Sequence, residues 1–133
     1  MPCTCAILTN QNQELLLTKR AIPPNQGSWD LPGGFMNINE TAEEAIAREI
    51  KEELDIIVPS LKYFTSQIYK YYFQKLYRNC LIIYFEGKIS QSKKFNYLDD
   101  VSEAKFFKLT GVPFTKMHAS ADRAVIRQFI NQR

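Results

Sequence analysis

"GGFMNINETAEEAIAREIKEELDI" runs from Gly33 to Ile56, and its reading decides the fold. It carries seven carboxylates: Glu40, Glu43, Glu44, Glu49, Glu52, Glu53 and Asp55. Thr41, with Glu44 three residues later, is a capping-box signature and predicts a helix starting near Ala42. Ala42, Ala45, Ile46, Ile50 and Leu54 recur at helical spacing and supply an apolar face. The β-branched run Ile56, Ile57, Val58 and then Pro59 predict a helix end near Leu54 to Asp55.

At about 100° per residue, Glu49 and Glu53 lie on one stripe with Glu52 beside it. Like charges at these spacings destabilise an isolated helix by about 0.2–0.5 kcal/mol per pair. The segment therefore breaks a local rule, and such breaks tend to mark functional sites. A hard divalent cation such as Mg²⁺ or Mn²⁺ resolves the conflict, because it favours oxygen ligands and shares carboxylates with substrate phosphates. The competing reading is a solvated acidic face, with Arg48 and Lys51 on the same helix and Glu44–Arg48 as a favourable i,i+4 pair.

Upstream, "CTCAILTN" and "ELLLTKR" around "QNQ" read as a hairpin. "AIPPNQGSWDLPGG" holds three of the six prolines and three of the five glycines, so it reads as an ordered loop without elements of its own. A loop of this length in a small domain is usually functional. Downstream, aromatic and β-branched residues predict strands around 61–72 and 78–89, separated by a polar stretch, Gln74 to Asn79. "QSKKFNYLDD" reads as a surface loop and "EAKFFKL" as a further strand. "SADRAVIRQFINQR" reads as a closing amphipathic helix. Ser120 is its predicted N-cap, and Ala124, Val125, Ile126, Phe129 and Ile130 face inward. The pattern is α+β, one domain over residues 1–133.

Composition bounds the function. The 133 residues are 45% hydrophobic and 23% charged, an ordinary globular balance, and a net charge of +3 is too mild to argue for nucleic acid. Cys3, Cys5 and Cys80 form no CxxC pair and His118 is the single histidine, so a zinc site is not expected and the cysteines read as reduced, buried thiols. The most apolar stretch, "CLIIYF", is far too short to span a membrane, and the N-terminus has no signal-peptide pattern. These readings predict a cytoplasmic protein.

The spacing Gly34, five residues, Glu40, seven residues, Arg48-Glu49-Ile50-Lys51-Glu52-Glu53-Leu54-Asp55-Ile56 resembles the Nudix signature. Every defined position matches except Asp55, which stands where that family has glycine. The element order is similar across nearly the whole chain. The resemblance implies an α/β/α sandwich around a mixed sheet, and a loop–helix–loop that binds Mg²⁺ or Mn²⁺ and hydrolyses a nucleoside diphosphate linked to another group. It implies Glu49 and Glu53 as core metal ligands, Glu52 as an additional one, and the Gly34 carbonyl as a contributor. Glu40 and Arg48 are implied as a supporting ion pair. Glycine at the last motif position serves a left-handed helix end, which Asp55 is expected to adopt at some cost.

Catalytic work is assigned to Glu52, Glu53 and Asp100, with Glu103 as the second candidate for the late acidic role. Arg20, Trp29, Gly33 and Tyr69 are assigned to substrate. "GSWDLPGGF" resembles the branches acting on ADP-ribose and NADH, which makes ADP-ribose or an NADH-like dinucleotide the preferred class, although no zinc ribbon precedes the motif. The alternatives are pyrophosphate release from nucleoside triphosphates, and a nucleotide sensor without turnover. The expected partner is a small nucleotide, with neither nucleic acid nor membrane, and the aromatic hairpin could supply a homodimer face.

Overall fold

The computed structural model describes residues 2–90, 95–96 and 100–133. Strand β1 (Cys3–Thr9) is apolar on both faces: Cys5 and Ile7 point into one core, Ala6 and Leu8 into another. Strand β2 (Leu15–Arg20) behaves alike, with Leu15 and Leu17 opposed to Leu16. Strands buried on both faces need a cover on each side. Helix α1 (Ala42–Leu54) covers one with Ile46, Ile50 and Leu54. Helix α2 (Ser120–Asn131) covers the other with Val125, Ile126 and Phe129. The layers are helix, mixed sheet, helix.

β1 runs parallel to β6 (Leu76–Lys88), from Cys3 opposite Ile82 to Thr9 opposite Lys88. β6 pairs antiparallel with β5 (Leu61–Phe73), the edge strand. β2 pairs antiparallel with β7 (Val101–Phe107). β1 and β2 meet at Thr9 and Leu15 and part from there, so the predicted hairpin is tight only at its turn. Asn10 holds that turn, its side-chain oxygen accepting from the main-chain N–H groups of Asn12 and Glu14.

The parting makes room for two short strands that the reading of 21–34 as a plain loop did not contain. Trp29–Asp30 forms a short strand β3 on β2. Gly33–Phe35 forms β4, antiparallel to β1. Both are too short to announce themselves, and their partners are distant in sequence.

Three further expectations are corrected. The polar stretch Gln74–Asn79 is mostly strand. Only Gln74 and Lys75, with φ of 54° and 65°, make the turn, and Leu76 already opposes Phe73. Ser120 is not the N-cap of α2: Ala119 is, and it offers no side-chain bond. Ala124 is exposed, because it sits about 200° round the helix from Ile126. The predicted loop 91–100 lies largely outside the described residues. Among the described residues no helix is long and apolar enough to cross a membrane.

Candidate active site

α1 opens where its sequence says it should. Thr41 is extended, its hydroxyl accepts from the Glu44 N–H, and the Glu44 carboxylate accepts in return from the Thr41 N–H. The helix closes on Asp55 in the left-handed conformation, φ 56° and ψ 42°. Its carboxylate pairs with Lys51 and accepts from the Asn96 amide, local partners that offset the backbone cost of the missing glycine.

Two glycines bring main chain against this helix. At Gly33, a Cβ would lie 2.0 Å from the Thr4 carbonyl oxygen, so only glycine allows β4 to pair so closely with β1. The Gly33 N–H then donates to Glu53 Oε1 at 2.8 Å. At Gly34, a Cβ would lie 2.6 Å from Glu49 Oε2, so the carboxylate rests directly on the backbone.

Arg48 gathers the remaining charge. It donates to both carboxylate oxygens of Glu40, at 2.6 and 2.9 Å, and to the Phe35 carbonyl. Its Nη1 reaches Glu49 at 2.9 Å and Glu52 at 3.3 Å. The pairing holds Glu40 below the usual carboxylate range and Arg48 above its own. One cation cannot neutralise the whole group. Glu53 is half-buried and pushed up to about 8, first by burial and then by Glu49, Asp100 and Asp30, against the Gly33 hydrogen bond. Glu49 is raised too, chiefly by burial, with Glu52 and Asp100 adding to it and Arg48 opposing.

The fit to a metal follows from this imbalance. Glu49, Glu53 and Asp100 repel one another in a partly desolvated place, and a hard divalent cation is the ligand that oxygen-only donors of this kind accept. Among the described residues no three acidic, cysteine or histidine side chains converge on a single point. Glu52 is turned toward Arg48, Glu49 is shared with it, and Glu53 is turned to Gly33. A metal bound here would be held by Glu49, Glu52 and Glu53 once they leave these partners, with the Gly34 backbone beside them.

The glycine strand also borders a cavity of about 430 Å³. Arg20, Tyr69, Tyr71, Arg78 and Asp122 line it, together with Gly33 and Gly34. Tyr69 and Tyr71 alternate on one face of β5 and stack at 5.3 Å. Arg20 is held by the Pro24 carbonyl and by Asp30 at 3.7 Å. Of the residues assigned to substrate, Arg20, Gly33 and Tyr69 line this cavity and Trp29 does not. Trp29 is buried and meets Phe107 edge-on at 5.0 Å, as a core anchor. Glu103 sits opposite Lys19 in the β2–β7 ladder.

Tyr71 belongs to the aromatic run from which Tyr69 was assigned, whereas Asp30, Arg78 and Asp122 were not singled out from the sequence. Asp122 is buried; it accepts from the Tyr84 hydroxyl at 2.6 Å and from the Leu31 N–H at 3.3 Å. Burial pushes it up to about 6, and burial with Asp122 beside it pushes Asp30 up to about 7. The signal for Asp122 was its spacing with Val125, Ile126 and Phe129 on the inward stripe. The signal for Arg78 was its alternation with Cys80, Ile82 and Tyr84.

A model of the NUDIX domain matches residues 1–129. The chain belongs to the Nudix family. The Nudix domain is 34% identical over 106 residues to an ADP-ribose pyrophosphatase of Methanocaldococcus jannaschii, covering 80% of this chain and 61% of that protein. It is 27% identical over 124 residues to the NAD-capped RNA hydrolase NudC of Vibrio cholerae, covering 93% of this chain and 44% of that one. The chain thus spans only about half the length of these relatives. Its fold matches the NUDIX domain of Shewanella oneidensis NrtR complexed with ADP ribose (TM-score 0.78, 20% identity, 99% and 87% of the two chains). It also matches the E. coli dihydroneopterin triphosphate pyrophosphohydrolase (TM-score 0.83, 17% identity, 99% and 96%). The α+β Nudix fold is therefore established, and it is the architecture that the motif implied.

Proposed function

We propose that this domain is a Mg²⁺- or Mn²⁺-dependent diphosphohydrolase acting on a nucleoside diphosphate linked to a second group, with ADP-ribose or an NADH-like dinucleotide as the preferred class. The observation that carries the reading is the seating of Glu49 and Glu53 against the glycine strand that borders the cavity. The cavity volume lies within the range of small-molecule sites. Its stacked tyrosines offer a surface for a base, and Arg20 and Arg78 offer charge for phosphate oxygens. The relative from Methanocaldococcus jannaschii supports ADP-ribose in particular.

The division of work follows from the site. Glu49, Glu52 and Glu53 would hold the metal, which when bound would neutralise phosphate charge and supply a water nucleophilic at neutral pH. Gly33 fixes the Glu53 carboxylate through its N–H. Arg48, tied to Glu40, holds Glu49 at the backbone of Gly34. Asp100, the exposed acid whose charge acts on both Glu49 and Glu53, takes the proton of the attacking water. Water adds to one phosphorus, the bridging P–O bond breaks, and two phosphomonoesters leave.

The test is a panel of ADP-ribose, NADH, NAD⁺, dinucleoside polyphosphates, nucleotide sugars and nucleoside triphosphates, with Mg²⁺ and with chelator. AMP from ADP-ribose or NADH, lost on chelation, is the expected result. Pyrophosphate from triphosphates alone would replace this reading with nucleotide-pool clean-up. Tight binding with no turnover of any compound would replace it with a sensor.

A further inference from the structure

We propose that Cys3 and Cys80 form a redox-active dithiol in the cavity wall, closed to an intramolecular disulfide by a peroxide. Their sulfurs lie 2.7 Å apart although the residues are 77 apart in sequence. A disulfide needs about 2 Å between sulfurs, so closing the bond asks for less than an ångström of movement. The contact is set by topology. Parallel pairing puts Cys3 opposite Ile82, and alternation along β6 puts Cys80 on the same face as Ile82, toward the core beneath α2. Cys3 is half-exposed, Cys80 is buried, and both border the cavity, which gives a small oxidant a path that a bulky one lacks.

The pair is also chemically biased. The two thiols share one hydrogen bond in which either can donate, so the S–H of one favours the thiolate of the other. A thiolate is the nucleophile in such reactions, and sensor cysteines sit beside a resolving partner. The thiolate of the pair attacks one peroxide oxygen and breaks the O–O bond. It becomes a sulfenic acid, and the departing hydroxide takes up the proton that this sulfur lost, leaving as water. The second sulfur then attacks the first, and the hydroxyl leaves with the second thiol's proton as another water. Each sulfur gives one electron and the peroxide takes two. Cys5, on the same face of β1, is raised by burial first and by Asp122 next, so it stays a thiol.

The bond would tie three parts together. Cys3 opposes Phe35 of the glycine strand, and Cys80 pairs with Tyr69 on the inner face of the β5–β6 hairpin. Oxidation therefore joins the glycine-strand side of the cavity to its aromatic side.

The experiment treats the full chain with hydrogen peroxide and maps peptides without reductant. The expected result is one linked peptide pair, Cys3 to Cys80, with loss of two hydrogens and reversal by dithiothreitol. Cys5→Ser keeps the link, while Cys3→Ser and Cys80→Ser lose it. Amide exchange slows across Cys3–Cys5 and Tyr69–Cys80 in the oxidised wild type. A link through Cys5, over-oxidation of a single cysteine, no reaction, or a link without slowed exchange would each overturn the proposal. The mapping is made on wild-type protein, so a variant that fails to fold does not decide it. Neither readout depends on turnover, so failure here is distinct from failure of the proposed reaction.

Discussion

α1 and α2 have 13 and 12 residues and lie on opposite faces of one sheet, each burying four or five side chains. They place their acids differently. α1 keeps Glu49, Glu52 and Glu53 on its rim and shares them between an arginine and a main-chain N–H. α2 carries one acid inward, Asp122, buried at the cavity wall and bonded to Tyr84 and Leu31. Rim carboxylates that are only partly compensated can exchange their partners for an incoming cation. A buried carboxylate held by two fixed donors is committed to the fold. Distance from water, more than the count of acids, separates a working group from a strut.

The sharpest way to break that contrast is Glu53→Gln. It removes a charge from the rim but can still accept from the Gly33 N–H. Turnover in the substrate panel should fall by about 100-fold or more with the melting temperature nearly unchanged. Wild-type turnover would sink the assignment of α1 as the working helix.

Gly33→Ala tests whether the backbone itself seats the acids. The added methyl meets the Thr4 carbonyl at a φ of 152°, so denaturant unfolding should show a loss of about 3 kcal/mol or more. A near-neutral result would mean that β4 does not set the position of Glu53.

Asp122→Asn sharpens the other side. The folded pKa of Asp122 is about 6 against an ordinary 3.8, so the folded state binds the extra proton between those values. Its contribution to stability is therefore favourable at low pH and falls as pH rises from about 4 to about 6. On acidification from neutral pH to about 4, wild type should gain about 2 kcal/mol relative to the variant, measured in metal-free buffer. Parallel pH curves for the two proteins would show that Asp122 is not held as described.

The smallest effects are at the caps. Thr41→Ala should cost α1 about 1 kcal/mol, and Ala119→Ser should stabilise α2 by up to about 1 kcal/mol. Thermal melts of both would show whether the two helix starts differ as their side chains imply.

The same contrast explains what the sequence made legible. α1 could be read nearly residue by residue because its signals are local: Thr41 with Glu44, the apolar stripe, and Asp55 at a left-handed end. Glu40 and Arg48 were legible through the motif spacing. β3 and β4 were hidden because each is only two or three residues long and finds its partner far along the chain. The cavity was half hidden. Tyr69 could be named from an aromatic run, but Arg78 and Asp122 reach it only through hairpin register and helix rotation. Reading every polar residue on an inward stripe as a question would have found both.

The hairpin turn at Gln74 and Lys75 has one more consequence. The ladder of β6 with β1 begins at Ile82, so the tip of the hairpin extends past the part of the sheet that pairs with β1. Residues there can be exchanged, added or removed while β1, the glycine strand and α1 keep their mutual register. On the proposed reaction, drift in that tip would change the lining of the cavity and spare the carboxylate helix, so ancestry could retune appetite without relearning the chemistry.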